Sequence, residues 1–542
     1  MADAIPFIVQ QKEISMLTAN TRKTYYLLIH WHNFRLKLFG EGILIGCFVG
    51  LVITAFRYFL ERAEVLRNDV YSYWSTQYWP ITILWFMGLI VIAYILDRIV
   101  KAEPMVSGSG IPQVKGAILG FMKMKWLSVL IYKFIGGILA IGAGLSLGRE
   151  GPSIQLGATI GQGLSRRLGR TRMEERYLMT SGASAGLAAA FNAPLAGVIF
   201  SLEELHKNFS PAVLMSTIAA ALTAVVVSQY FFGYGPVFNF VGLPYFPVRY
   251  YGLIILLGIV TGLLGIAFNR VLIKALELYE QQKFLPGMGK FVLPLAVAAI
   301  IGFFLPEVLG GGNNLVNELA SGVFSFKFLW LLLLAKFFFT MVCYGSGAPG
   351  GIFLPMLVIG ALAGSLFSHI IIGLGYLDPY YGTTIIVLSM AAYFSAIVKA
   401  PITGSILIME MTGSFDHMLS LIVVSTISYL VADIAKLKPI YEELLERALS
   451  KRRKVPANVV SEARVILEFI ICVGSKLDGC QIKSVAWPTQ CLLVNVKRGS
   501  NELVPKGDTR IIAGDYLYVL AAATQVDEVR SLAGYCTLVS EG

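Results

Sequence analysis

Charge is what this sequence has least of. Only 14% of its 542 residues are Asp, Glu, Lys or Arg, against about a quarter in soluble globular chains. That deficit places most of the chain in lipid. Cysteine is sparse too. Cys47, Cys343, Cys472, Cys480, Cys491 and Cys536 form no CxxC pair, and there are five histidines. This excludes a metal site and a disulfide framework, and the four late cysteines read as part of a reduced, cytoplasmic segment. No nucleophile–base pair stands out, so we expect no enzyme, no catalytic residue and no cofactor. The opening "MADAIPFIVQQKEISMLTAN" lacks a basic region followed by an apolar core, so it does not read as a secretory signal.

What the chain has in abundance is apolar sequence. Hydrophobic residues make up 56% of it, and the mean hydropathy is +0.70. Stretches such as 42–60, 80–100 and 211–232 each approach the ~20 residues that cross a bilayer as a helix. We place the first span near residue 42. The net charge of +11 sits at span edges, in Arg22, Lys23, Arg35 and Lys37, in Arg166, Arg167, Arg170 and Arg172, and in Lys436, Lys438 and residues 451–454. That distribution follows the positive-inside rule and points to lipid headgroups as partners, not nucleic acid. It predicts a multi-pass protein with both termini cytoplasmic.

Hydropathy falls after about residue 436. We expect an N-terminal cytoplasmic segment over 1–40, a transmembrane domain over 41–436, a cytoplasmic-side helix and basic linker over 437–456, and a small α+β domain over 457–542. In the last, "ARVILEFIICV", "CLLVNVKRG", "TRIIAG" and "DYLYVLAA" read as strands between turns, and "TQVDEVRSLAG" as a helix. The membrane part repeats itself. "AAAFNAPLAGVIFSLEE" (188–204) matches "FSAIVKAPITGSILIMEM" (394–411), setting Glu203 on Glu410, and "EGPSIQLGA" (150–158) matches "FLPMLVIGA" (353–361). Two fused halves of similar plan are a transporter signature, with substrate at their interface.

Three glycine–proline turns interrupt the apolar segments: "GSGIP" (108–112), "GREGP" (148–152) and "GSGAPGGIFLP" (345–355). Proline suits a helix start, where the first amides have no intrahelical partner. Those amides and the positive end of the dipole attract anions. Irregular backbone survives at membrane depth only where protein buries it or a cavity borders it. Three such starts suggest an anion pathway near the midplane. Glu150 sits where an anion would bind, and its carboxylate can take the anion's place when charged and leave when protonated. The plainer reading is an acid favourable in any first helical turn. Arg149 reads as electrostatic support.

These motifs, in this order and followed by "KAPITGSILIMEMTG" (399–413), resemble the CLC chloride channel and transporter family over residues 40–445. The resemblance implies an all-α polytopic membrane protein with inverted internal repeats and broken helices, a homodimer with one pore per subunit. It implies that Ser109 coordinates the central anion, that Glu150 is the external gate, that the amides of Ile352 and Phe353 are further anion ligands, and that the Tyr441 hydroxyl closes the inner side. Glu204 falls where proton-coupled members carry an internal proton acceptor; otherwise it is an acid at a span end, and Glu203 looks structural. Glu150 together with Glu204 favours chloride/proton antiport over a passive gated channel. Ser109 favours chloride over nitrate, and the intact "GREGP" argues against the fluoride-exporting branch. A cation or amino-acid transporter, or a potassium-uptake subunit, is the third class, and no "TVGYG"-like filter is present.

Residues 492–522 resemble the TrkA-C (RCK-C) domain of potassium-transport regulators. That resemblance implies a dimerising regulatory domain whose cleft takes a cyclic dinucleotide, cyclic di-AMP first, with Arg498 and Asn501 near phosphate or base. An assembly domain without ligand is the equal alternative. The tail type points to a bacterial plasma membrane, of a Gram-positive organism.

Overall fold

Glycine and proline cut the apolar sequence into helices, and the cuts fall at the same places twice. A computed structural model of the chain describes residues 19–529, except for 75–78, 208–209, 239, 241–242, 283–286, 321, 323, 453–463, 472–474, 476, 489–490, 499–500, 523–524 and 526–527; over 19–35 it describes the backbone only. The chain divides into two units, 1–447 and 448–542.

In the first unit one half runs α1 (Ala19–Trp74), α2 (Trp79–Ala102), α3 (Ile111–Ile118), α4 (Trp126–Gly142), α5 (Glu150–Arg167), α6 (Arg172–Phe191), α7 (Pro194–Phe200) and α8 (Pro211–Phe232). The other runs α9 (Tyr251–Gln281), α10 (Gly289–Phe304), α11 (Asn313–Ala320), α12 (Phe326–Gly345), α13 (Phe353–Gly373), α14 (Gly382–Val398), α15 (Pro401–Thr412) and α16 (Met418–Ile434). The two lists match helix for helix, including a 3₁₀ turn before α3 (Pro104–Val106) and before α11 (Pro306–Val308). Among the described residues seven helical segments are long and apolar enough to cross a membrane. Short helix α3 is buried almost throughout, as irregular backbone at membrane depth requires.

Small residues set the closest approaches. Where α5 crosses α6, a side chain at Gly157 would overlap the Gly182 carbonyl, and one at Gly186 would overlap the Ser153 carbonyl. Only glycine lets the two backbones come this near. The same crossing recurs in the second half, where Gly360 and Gly364 of α13 rest on the backbone of α14.

One sequence expectation shifts. Helix α1 is already under way at Ala19, ahead of the apolar span Leu36–Ser72; hydropathy marks where lipid begins, not where the helix does. Helix α17 (Ile440–Arg452) lies within the segment expected to hold a helix and basic linker, 437–456. Its first residues belong to the membrane unit, where Ile440 and Tyr441 are fully buried.

Among the described residues the second unit forms a four-stranded antiparallel sheet: β1 (Arg464–Ile470), β2 (Cys491–Arg498), β3 (Asn501–Leu503) and β4 (Asp515–Ala522), in the order β1-β4-β2-β3. Alternate residues of β2 and β4, with Phe469, Ile471, Leu477 and Ile511, form its own core. "TRIIAG" is not a strand; it contributes one bridge, Arg510 to Gln481, and buries Ile511 beneath the sheet. The expected last helix lies mostly outside the described residues.

Candidate functional site

The three glycine–proline turns are stitched to one another through their backbones. Gly148 and Gly351, repeat-related residues just ahead of α5 and α13, exchange hydrogen bonds of 2.7 and 2.8 Å. Gly108 donates to the Gly347 carbonyl at 3.2 Å and accepts from the Gly350 amide at 3.1 Å. Loops far apart in sequence thereby deliver the starts of α3, α5 and α13 to one place. Two lysines, alone in apolar runs, hold the loops that lead into α3 and, in the other half, into α11. Lys133 of α4 donates to the Val106 and Gly108 carbonyls at 2.9 and 2.6 Å. Lys336 of α12 donates to the Val308 and Gly310 carbonyls at 2.8 and 2.7 Å. Both are fully buried. Each occupies the same place in its half.

Glu150 is the first residue of α5 and is fully buried. Its carboxylate lies beside its own amide and that of Leu354, in the first turn of α13, but neither oxygen makes a well-formed hydrogen bond. A carboxylate resting on two helix starts is held by dipole and amides together. Arg149 points outward, 3.8 Å from Glu61, which also accepts a 2.8 Å bond from Arg57. It supports the field without reaching the turn interior.

Ser109 stands at the start of α3, 1% exposed, and its hydroxyl accepts a 3.3 Å bond from the Ile111 amide. The Tyr344 hydroxyl rests against it. The backbone of Ser109 leaves no room for a side chain at Gly151, one residue past Glu150. Ile352 caps α13 and Phe353 begins it; their amides belong to the first turn, which has no intrahelical acceptor. The Phe353 ring packs on Phe191, Phe200 and Phe394, with centroids 5.4, 5.9 and 4.7 Å away. Phe200 in turn meets Tyr441 edge-on at 6.4 Å. The Tyr441 hydroxyl is buried and makes no hydrogen bond. It lies within electrostatic reach of Tyr344, Glu204 and Glu150. The five residues singled out from the turns and from α17 thus come together.

Glu204 sits below, on a π-helical turn, Ser201–His206, that continues α7. Wide turns of this kind recur at functional sites. This one sends adjacent acids in different directions. Glu203 accepts from the amide of Thr403 at 2.9 Å and from its hydroxyl at 2.5 Å, capping α15. Glu204 turns to Lys115 of α3, with Nζ–Oε1 at 2.7 Å; the two side chains are 2% and 4% exposed. The same lysine reaches Glu442 of α17 at 3.3 Å, and Glu442 also pairs with Lys207.

Lys115, Glu442, Lys133 and Lys336 are the residues that sequence reasoning missed. A lysine alone in an apolar run, at matching places in two repeats, was the available signal for the last two.

In the second unit Arg498 ends β2 opposite Asp515. It makes a bidentate pair with that buried carboxylate, at 2.8 and 2.9 Å, and donates to the Arg510 carbonyl at 2.7 Å. Burial works against the charge on Asp515, but Arg498 and the Ile512 amide hold its carboxyl below the ordinary carboxylate range. Two guanidinium nitrogens expected near a ligand are therefore spent inside the domain. Asn501 pairs with Arg498 in register on β3; its side chain lies outside the described residues.

Paired broken-helix halves whose helix starts meet at a buried acid define a membrane transport protein of the anion type. Residues 88–433 match the family described as voltage gated chloride channel, and residues 466–534 match the TrkA-C domain. The H(+)/Cl(-) exchange transporter ClcA of Salmonella agona is 35% identical over 433 residues, 77% of this chain and 90% of that protein. The protein of the same name from Citrobacter koseri is 34% identical over the same shares. A solved structure of a slow cyanobacterial Cl-/H+ antiporter superposes with TM-score 0.73 at 32% identity, covering 77% of this chain and 99% of that one. A CLC-type fluoride/proton antiporter, 22% identical, shares the fold with TM-score 0.62 over 73% of this chain and 95% of that one. The chain belongs to the voltage gated chloride channel family and carries a TrkA-C domain.

Proposed function

We propose that this chain exchanges chloride for protons across a bacterial plasma membrane, as a homodimer with both termini in the cytoplasm. What supports the reading is that two buried acids lie within electrostatic reach of the same buried tyrosine, Tyr441: Glu150 on the starts of α5 and α13, and Glu204 on the π-helical turn, paired with Lys115.

In this account chloride takes the place bordered by the Ser109 hydroxyl, the amides of Ile352 and Phe353, and the Tyr441 hydroxyl. The Tyr441 hydroxyl and the first amides of α13 have donors to give. Charged Glu150 competes for the same helix starts. Protonated, it loses the attraction of the dipoles and releases the outer side to the anion. Glu204 supplies the proton from the inner side. One carboxylate therefore alternates with the transported ion, which couples the two fluxes. The ClcA relatives named as H(+)/Cl(-) exchangers support this reading over a passive channel.

The TrkA-C unit is the regulatory part of the proposal. It has a core of its own, and α17 links the sequence leading to it with Tyr441. A ligand that favours one arrangement of a tail dimer, with cyclic di-AMP the first candidate, biases the inner side of the path.

The test is purified protein in liposomes, with an inward-directed chloride gradient and no proton gradient. Exchange drives protons outward, uphill; chloride uptake without proton movement overturns the proposal.

A further inference from the structure

Four charged side chains form a line from the surface of the first unit to its interior. Lys207 is 45% exposed, Glu442 32%, Lys115 2% and Glu204 4%. They come from three separate parts of the chain: the π-helical turn and its end, helix α17, and helix α3. The innermost pair is dry and close, 2.7 Å apart. Removing one partner of such a pair leaves an uncompensated buried charge. A carboxylate in that position takes up a proton instead.

We propose that Lys115 is a positioning residue that sets when Glu204 takes its proton and ties that event to α17. The proposal rests on the reading of Glu204 as the inner proton acceptor. Lys115 favours the charged form of Glu204 by direct contact. It also holds Glu442, the residue next to Tyr441, at 3.3 Å. While Glu204 is charged, Lys115 is shared between two carboxylates. Once Glu204 is protonated, the ammonium loses its closer partner and Glu442 becomes its only charged one. The charge on Glu204 is thus passed to α17, and so to the helix that carries Tyr441. Lys115 also lies on α3, the helix that Ser109 precedes. A single ammonium therefore touches the proton site, the helix that starts at the anion site and the helix that carries the inner tyrosine.

The other titratable groups around Glu204 leave Lys115 as its direct partner. Glu203, its neighbour, is turned to Thr403. His206 bonds Thr180 of α6 and faces Arg176 and Tyr177 of the same helix. Helix α7 contributes no titratable side chain. Tyr441 and Glu442 of α17 and Lys207 at the end of the turn complete the surroundings.

Removing the charge of Lys115 and removing that of Glu442 give opposite signs. Lys115→Met removes the cation, so Glu204 protonates at higher pH, by about 1–3 units for a charge at contact distance. Glu442→Gln removes a like charge and gives the whole ammonium to Glu204, so protonation moves to lower pH. Lys115→Arg keeps the charge and brings the midpoint back toward that of the unmutated protein.

The readout is the infrared carboxylic-acid band of Glu204 in the full-length protein in lipid, assigned by its disappearance in Glu204→Gln and followed against pH. Opposite shifts in Lys115→Met and Glu442→Gln, with rescue by Lys115→Arg, bear the proposal out. Unmoved midpoints, shifts of the same sign, absence of a titrating band or no rescue overturn it. The proton-to-chloride flux ratio of the unmutated protein is measured alongside. A ratio of zero refutes proton exchange while the infrared titration still decides the role of Lys115.

Discussion

Glu203 and Glu410, the repeat-related glutamates, each cap the short helix of the opposite half. Glu203 accepts from Thr403 at the start of α15, and Glu410 accepts from the amides of Leu195 and Ala196 at the start of α7, at 3.0 and 2.7 Å. The exchange ties the two halves together through their short helices. Glu203→Gln and Glu410→Gln should therefore lower stability by about 1.5–3 kcal/mol, the worth of hydrogen bonds to a charged group. The proton-to-chloride ratio should stay unchanged. Thermal unfolding in detergent and paired flux measurements check both halves of the prediction; a changed ratio in Glu203→Gln puts that acid on the proton path.

Glu150→Gln should keep chloride moving and abolish proton movement. A neutral amide neither carries the proton nor competes as a charge for the starts of α5 and α13. Glu204→Gln should also stop proton movement, with Glu150 still able to close the outer side. Flux in liposomes separates the two: chloride transport in Glu150→Gln should no longer respond to outer pH, whereas in Glu204→Gln it still should.

Ser109→Pro should weaken the preference for chloride over nitrate. Proline removes a hydroxyl that borders the site and cannot donate from its backbone. The expected change is several-fold in the ratio of chloride to nitrate flux. An unaltered ratio places Ser109 outside the ion's contacts.

The TrkA-C unit should loosen in acid before the membrane unit does. Arg498 and the Ile512 amide hold the Asp515 carboxyl below its ordinary range, so the folded unit binds its proton less readily than the unfolded chain. The stability from this pair is full at neutral pH and is lost as pH falls through the folded value. Hydrogen exchange on peptides of β2 and β4 in the full-length protein should accelerate below about pH 4, the ordinary range of a carboxylate. Asp515→Asn should show the faster exchange already at neutral pH.

The sequence exposed the site better than the lines of force around it. The helix starts at Ile111, Glu150 and Phe353 were legible because glycine–proline turns are local signals, and Glu150 stood out as an acid inside an apolar run. The repeat was legible from "NAPLAG" against "KAPITG". What stayed hidden is set by tertiary contact. Lys115 lies 89 residues from Glu204 and 327 from Glu442, and no local pattern announces such a meeting. Helix α1 is already under way at Ala19, ahead of the apolar span, because helical backbone hydrogen bonding does not depend on hydropathy. "TRIIAG" has the composition of a strand, but it follows a turn at Gly507 and Asp508 and is used as a bridge and a core plug. Arg498 looked available as a basic residue on a hairpin; its partner Asp515 is adjacent only across the sheet.

Coupling of chloride to protons is the central claim, and a reversal potential tests it most directly. Liposomes carrying the unmutated protein are given a chloride gradient and an opposing proton gradient, and the membrane potential at which net flux stops is measured. Exchange predicts a potential displaced from the chloride equilibrium value toward the proton value, and displaced further as the pH difference grows. A potential equal to the chloride value at every pH difference contradicts the account.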